Sequence, residues 1–301
     1  MQAHTATEIA SQPDLWPQAA ELAAQVADVL PVSGARTCVV GCGTSLFIAQ
    51  SWAALRERAG HGATDAFAAS ELPDGRRYDV LVAISRSGST SEVVHALGRD
   101  LAERTIAIVA DPGTPVAQAA DDVVAMPFAD ERSVVQTRFA TCALVLLREH
   151  VAPGTAERAA RDARAALEAP LPLDPEAVEQ WTFLGRGWTV GLAHEAALKM
   201  RESAQAWTES YPVFEYRHGP ISIAAPGRVV WSLDGLDPSL ASELERIGAT
   251  VVADELDPLA SLVTAQRTAV ALAAARGLDP DRPRNLARAV ILADHDLEVL
   301  S

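Results

Sequence analysis

Short apolar runs and longer amphipathic stretches alternate along the chain. Val80–Ile84, rich in β-branched residues and bounded by polar ones, has the character of a strand buried on both faces of a parallel sheet. Ser85, Arg86, Ser87, Gly88, Ser89, Thr90 and Ser91 follow, and from Glu92 the pattern turns helical, with Val93, Val94 and Leu97 on one face. A second unit of the same form precedes it: a strand Thr37–Val40, then Gly41, Cys42, Gly43, Thr44 and Ser45, then a helix through Arg58. Thr105–Ala110 and Val123–Met126 predict two further strands, and Glu131–Ala140 predicts the opening of a long helix. Residues 7–30 read as an amphipathic helix, with Leu22, Val26 and Val29 on one face and Pro31 and Gly34 ending it.

Pro153–Pro175, a helix followed by PLPLDP, reads as a connection between two halves. The second half begins again with a strand at Thr182–Leu184, then Gly185, Arg186, Gly187 and a helix over Leu192–Arg201. Strand and helix signals follow at Val229–Leu233, Ser239–Gly248 and Thr250–Ala253, with a long helix after Leu259. Gly41 and Gly185 lie 144 residues apart, and the Ser85 and Trp231 loops 146, which predicts an internal repeat. The second loop reads WSLDG and has lost the run of hydroxyls. The fold class expected is α/β, with parallel sheets in a pseudo-repeat.

Composition narrows the function classes. Hydrophobic residues make up 49% of the 301, and the mean hydropathy is +0.09, as in a soluble globular protein. No apolar run approaches the roughly 18 residues of a membrane span, and no secretion signal is read at the N-terminus. Cys38, Cys42 and Cys142 have neither disulfide nor zinc spacing, so a reduced, cytoplasmic protein without metal or other cofactor is expected. The net charge of −15 and the absence of a basic stripe argue against nucleic acid as a partner. Lys199 is the sole lysine.

Two stretches carry candidate chemistry. Strand, hydroxyl-rich loop and helix N-terminus place backbone N–H groups and a helix dipole at one point, which suits a phosphate monoester. An N-capped turn without a ligand is the competing reading. In the second half His194, Glu195, Lys199, Arg201, Glu202 and Glu209 crowd together, and Glu195, Lys199 and Glu202 share one helical face. That face reads either as a solvated ion pair or as acid–base machinery. His218 stands before Gly219-Pro220, where a turn fixes its position; it is either a structural loop histidine or a proton carrier.

The order of GCGTS, AISRSGSTSE, GRG…HEAALKMRES, EYRHGP and DRPRNLARAV resembles the tandem sugar-isomerase (SIS) domains of glucosamine-6-phosphate synthase, from EIASQP to Val290. The resemblance includes no glutaminase domain and so points to the stand-alone deaminases, isomerases, deglycases and lyases of amino-sugar phosphates. It implies two SIS domains, each a three-layer α/β/α sandwich, at 31–160 and 161–301, after an N-terminal helical arm at 1–30. It implies sugar-phosphate binding by Ser45, Ser85, Ser87 and Thr90, with Arg86, where the synthase has glutamine, adding positive charge. Glu202 matches the base that moves a proton between carbons 1 and 2, Lys199 a lysine one turn before it, and His218 a ring-opening histidine supplied across a homodimer interface. The expected activity is isomerisation or deamination of an amino-sugar 6-phosphate. β-Elimination by the same base and a non-catalytic sugar-phosphate sensor are the alternatives. The synthase's C-terminal lysine falls at Arg288, which cannot form a Schiff base at ordinary pH, and its short tail is replaced by ILADHDLEVLS.

Overall fold

A computed structural model describes residues 3–293 and 296; the rest of the ILADHDLEVLS tail lies outside the described residues. The chain divides into two units. One comprises Asp14–Arg132, Arg138–Ala156 and the chain from Ala287 on; the other comprises the chain up to Pro13, Ser133–Thr137 and Glu157–Leu286. The first helix, α1 (His4–Gln25), contributes to both.

The first unit holds β1 (Thr37–Gly41), α2 (Thr44–Arg58), β2 (Thr64–Ala68), β3 (Tyr78–Ser85), α3 (Ser91–Gly98), β4 (Ala102–Val109), α4 (Pro115–Gln118), β5 (Asp122–Ala125) and α5 (Arg138–Val151). Its five strands pair in parallel in the order β2-β1-β3-β4-β5. Cys38, Val40, Leu81, Ala83, Ala107 and Val109 form one core cluster with Val93, Ala96 and Leu97 of α3 and Val116 of α4. The intervening Val39, Val82, Ile84, Ile106 and Ile108 are also fully buried. Both faces of the central strands are therefore covered, and their sequences run apolar instead of alternating.

The second unit holds most of α6 (Ala156–Glu168), then β6 (Gln180–Gly185), α7 (Thr189–Ala204), β7 (Thr208–Pro212), β8 (Arg228–Ser232), α8 (Pro238–Ile247), β9 (Thr250–Ala253) and α9 (Pro258–Ala275). Its four strands are parallel in the order β7-β6-β8-β9, which repeats the order of the first four strands of the other sheet. Trp231 is fully buried in β8, its ring 6.4 Å from Trp181 and 5.7 Å from Phe183.

Three sequence expectations are corrected, and β2 and β7 are strands that the sequence pattern does not predict. The first helix ends at Gln25, short of Val26 and Val29. The strands β2 and β7 carried no apolar run, because both are edge strands and only partly buried. The helix expected from Glu131 starts at Arg138. Glu131 stays in the loop before it, buried, and its Oε1 accepts from the Arg138 amide at 2.9 Å. The repeat is out by one residue. β3 ends at Ser85 and β8 at Ser232, each three residues before a left-handed glycine, Gly88 (φ 65°) or Gly235 (φ 63°). Thr90 and Asp237 then cap α3 and α8, so Ser85 corresponds to Ser232 and not to Trp231.

Candidate active site

In the five-stranded unit the order of strands reverses between β1 and β3: the chain passes from β1 to the edge strand β2 and returns to β3 on the other side. Open α/β sheets bind ligands outside the carboxyl ends of strands at such a point. The loop after β3 and the first turn of α2 sit there. Ser45 and Ser85 are buried, while Ser87 and Thr90 are part-exposed with their hydroxyls 3.3 Å apart. Ser85 Oγ accepts from the Gly88 amide at 3.2 Å. Gly88 is required twice over, by its positive φ and because a Cβ would strike the Thr114 side chain. Hydroxyls and small residues in this geometry leave the loop open to an anion.

Arg86 takes a different part from its hydroxyl neighbours. Its side chain is only 1% exposed, with Nη1 3.9 Å from Glu131 Oε2 and Nη2 donating to the Arg288 carbonyl at 3.3 Å. Arg288 in turn pairs with Asp130 at 2.5 Å and donates to the Glu131 carbonyl. The segment after it lies along the start of α3: the Ser91 amide donates to Val290 O at 3.3 Å, and Ser91 Oγ accepts from the Leu292 amide at 3.0 Å.

In the four-stranded unit α7 brings Glu195, Lys199 and Glu202 together, as their spacing predicts. Lys199 is 1% exposed, with Nζ 3.3 Å from Glu195 Oε1 and 2.5 Å from Glu202 Oε2. Burial pushes the Lys199 ammonium down, but Glu195 and Glu202 outweigh it and hold the group above its ordinary range. The solvated ion pair is thereby excluded. Arg201 does not share in it: its Nη1 donates to Thr208 Oγ1 at 2.8 Å. His194 Nδ1 lies 2.8 Å from Ser210 Oγ, and burial, followed by the charge of Arg201, lowers its pKa.

Glu202 reaches the wall of a cavity of about 380 Å³ that Arg201, Gln205, Arg284, Asn285 and Leu286 also line. Gln205 (φ 53°) and Asn285 (φ 64°) are the non-glycine residues with left-handed backbone among those described, and both face this one cavity. Backbone held in that region marks sites that the surrounding structure over-determines. His218 ends a short 3-10 turn, Glu215–His218, and is exposed; it does not line the Glu202 cavity. Sequence reasoning missed Glu131, Gln205, Arg284 and Asn285. Asn285, a residue that tolerates left-handed backbone, offered a signal in the Pro-Arg-Asn run.

Residues 33–148 match the SIS domain family. The glutamine–fructose-6-phosphate aminotransferase [isomerizing] of Acidithiobacillus ferridurans is 30% identical in an alignment covering 73% of this chain and 44% of that protein. That of Bradyrhizobium diazoefficiens is 27% identical, covering 85% and 52%. The chain spans about half the length of the curated relatives it matches. Among solved structures, glucosamine-6-phosphate deaminase from Thermotoga maritima superposes with a TM-score of 0.83 at 27% identity, covering 96% of this chain and 100% of that one. Tagatose-6-phosphate ketose/aldose isomerase from Escherichia coli gives 0.79 at 20%, covering 95% and 97%. Residues 33–148 thus resemble a SIS domain, and the chain as a whole is similar to the aminotransferases and to glucosamine-6-phosphate deaminase. Among the described residues no helix is long and apolar enough to cross a membrane, and no cluster of metal-ligating side chains is found.

Proposed function

We propose that the chain is an enzyme of amino-sugar 6-phosphates, built of two SIS domains, that isomerises or deaminates its substrate from an open-chain form. One observation carries the reading: the sole lysine is buried against Glu202, and that carboxylate opens on a cavity flanked by strained backbone. A carboxylate fixed in position at the edge of a cavity can accept a proton from a ligand there. With glucosamine 6-phosphate, Glu202 removes the proton from carbon 2; the electron pair forms a carbon 1–carbon 2 double bond, and the aldehyde π pair moves onto the carbon 1 oxygen, which takes up a proton. Return of the Glu202 proton to carbon 1, with loss of one proton from the nitrogen, gives the 2-imino sugar. Water adds at carbon 2 and ammonia leaves, giving fructose 6-phosphate. Ser45, Ser85, Ser87 and Thr90 hold the phosphate, and Arg86, neutralised by Glu131, steadies their loop.

His218 carries a proton for ring opening. Its exposure, and its absence from the wall of the Glu202 cavity, support a homodimer in which each subunit lends His218 to the other. Elimination of the carbon 3 hydroxyl from an N-acetylated substrate is the second reading. Arg288 stands where a lysine would form an imine, and Lys199 is enclosed by two carboxylates, so neither offers a free amine. A purely sensory role is disfavoured by the intact Glu195–Lys199–Glu202 set.

The test is Glu202→Gln, which keeps shape and removes the base. Turnover of glucosamine 6-phosphate falls about 10²–10⁴-fold with binding nearly kept, and exchange of the carbon 2 proton in heavy water stops. Exchange at the wild-type rate in the variant sinks the assignment. Mass spectrometry separates the readings, through loss of ammonia, unchanged mass or loss of water.

A further inference from the structure

The four-stranded unit has its own reversal of strand order, between β6 and β8, and a second cavity of about 360 Å³ opens at their carboxyl ends. This is the counterpart of the hydroxyl loop: Ser232, Asp234, Gly235 and Asp237 line it where Ser85, Ser87, Gly88 and Thr90 stand in the first unit. Two hydroxyls have become carboxylates, so a phosphate is repelled from the loop itself. Arg186 and Arg217 bring positive charge to the same cavity.

Arg186 is held ready by its surroundings. Its backbone N–H donates to Thr189 Oγ1 at 2.7 Å, closing the turn, while its guanidinium lies 5.5 Å over the ring of Phe214. No carboxylate pairs with it among the described residues, in a chain of net charge −15. Arg217 donates to Ser239 Oγ at 2.8 Å and reaches Glu243 at 3.3 Å, so it is fixed in place. Phe214 remains 57% exposed at the cavity. Asp237 caps α8 through Oδ1, which accepts from the Ser239 and Leu240 amides and from Ser239 Oγ, the hydroxyl that accepts from Arg217 Nη2.

We propose that this cavity is a second binding site for an amino-sugar phosphate, which it holds in the opposite sense to the first. The phosphate lies against Arg186 and Arg217. The ring rests its C–H face on Phe214, and the ammonium points to Asp234 and Asp237. A ligand that carries both an anion and a cation engages both the arginines and the aspartates, whereas a bare phosphate uses only the arginines. The choice of amino-sugar phosphate as ligand rests on the function proposed above; the site itself does not.

Equilibrium dialysis of labelled glucosamine 6-phosphate against the Glu202→Gln protein tests this, since that variant leaves the label intact. Two equivalents bind per chain. Arg186→Gln with Arg217→Gln removes one, and Ser85→Ala with Ser87→Ala removes the other. Should the arginine pair leave stoichiometry unchanged, the second site is overturned. Should the serine pair leave it unchanged while the arginine pair abolishes binding, the reading of the hydroxyl loop fails and this site stands. Phe214→Ala, which leaves the charges in place, weakens the second site at least tenfold and serves if the arginine pair does not fold. Fructose 6-phosphate and inorganic phosphate, which lack the ammonium, bind the second site at least tenfold more weakly; equal affinity for either overturns the proposed ligand.

Discussion

The turns after β1 and β6 are built alike. Gly41 and Gly185 each end a strand where a Cβ would run into backbone four residues on, at Ser45 and Thr189. Gly43 and Gly187 follow with left-handed φ of 54° and 57°. The side chains around these turns differ. The first turn leads into Thr44 and Ser45 and faces the hydroxyl loop, whereas the second carries Arg186, Trp188 and Thr189 and faces two aspartates. The glycines are thus demanded by the backbone geometry of a strand-to-helix turn. Chemistry resides in their neighbours, and it has diverged while the turn has not.

Each unit also places a buried cation against a carboxylate, and this is where the contrast is largest. Lys199 has both Glu195 and Glu202 within 3.3 Å, whereas Arg86 lies 3.9 Å from Glu131, whose other oxygen takes the Arg138 amide. Lys199→Met removes the ammonium that Glu195 and Glu202 share. The expected loss is about 3–5 kcal/mol, the range for breaking a buried pair, read from urea unfolding. Arg86→Met costs less, because Glu131 keeps a donor. Equal losses in the two variants break the contrast.

Ser85→Ala and Ser87→Ala sharpen it from the ligand side. Each removes a hydrogen bond to a charged group, worth about 1.5–3 kcal/mol. KM for any phosphorylated sugar rises accordingly; Ser87→Ala barely moves Tm, whereas Ser85→Ala also loses the bond from the Gly88 amide and lowers it. Unchanged binding by calorimetry removes the phosphate from this loop.

Much of this was legible in the sequence, and the misses have physical causes. Continuous apolar runs such as Val80–Ile84 show central strands plainly, because burial on two faces leaves no polar position. The edge strands TDAFA and TESYP carry no such mark. The spacing of Glu195, Lys199 and Glu202 revealed the charged face, but only tertiary burial distinguishes it from a solvated ion pair. Glu131 read as the start of a helix because a carboxylate there is ordinary; its partner Arg86 is far away in sequence. Gln205 and Asn285 owe their role to backbone angles that packing imposes. The repeat was recognisable, yet its register in the second loop slipped by one because Trp231 and Ser232 give no local clue to where β8 ends.

Gly43→Ala and Gly187→Ala test whether the two turns are equivalent. Both angles are left-handed and neither site has a neighbour within 4 Å of a new Cβ, so conformational strain alone acts. The loss is about 1–2 kcal/mol at each, read from denaturation midpoints. A large loss at one and none at the other shows that the turns are alike in shape only.

The smallest effect concerns protons. Among the described residues each unit holds one histidine whose pKa burial pushes below the ordinary 6.5: His150, which donates from Nε2 to Pro31 O at 3.2 Å, and His194, bonded to Ser210. A lowered folded pKa means that the unfolded chain takes up the proton first as pH falls. Stability is therefore fully present above pH 6.5 and declines as pH drops from there towards the folded values, the unfolded state binding more protons throughout that window. His150→Gln and His194→Gln each remove part of this slope, which is measured as the change in unfolding midpoint between about pH 7.5 and 5. The Pro31 carbonyl favours protonation of His150 while His61 and Arg56 oppose it, and Arg201 opposes that of His194. Loss of slope in both variants assigns a share of the acid sensitivity to each unit. A slope that survives both substitutions assigns the acid sensitivity to other groups.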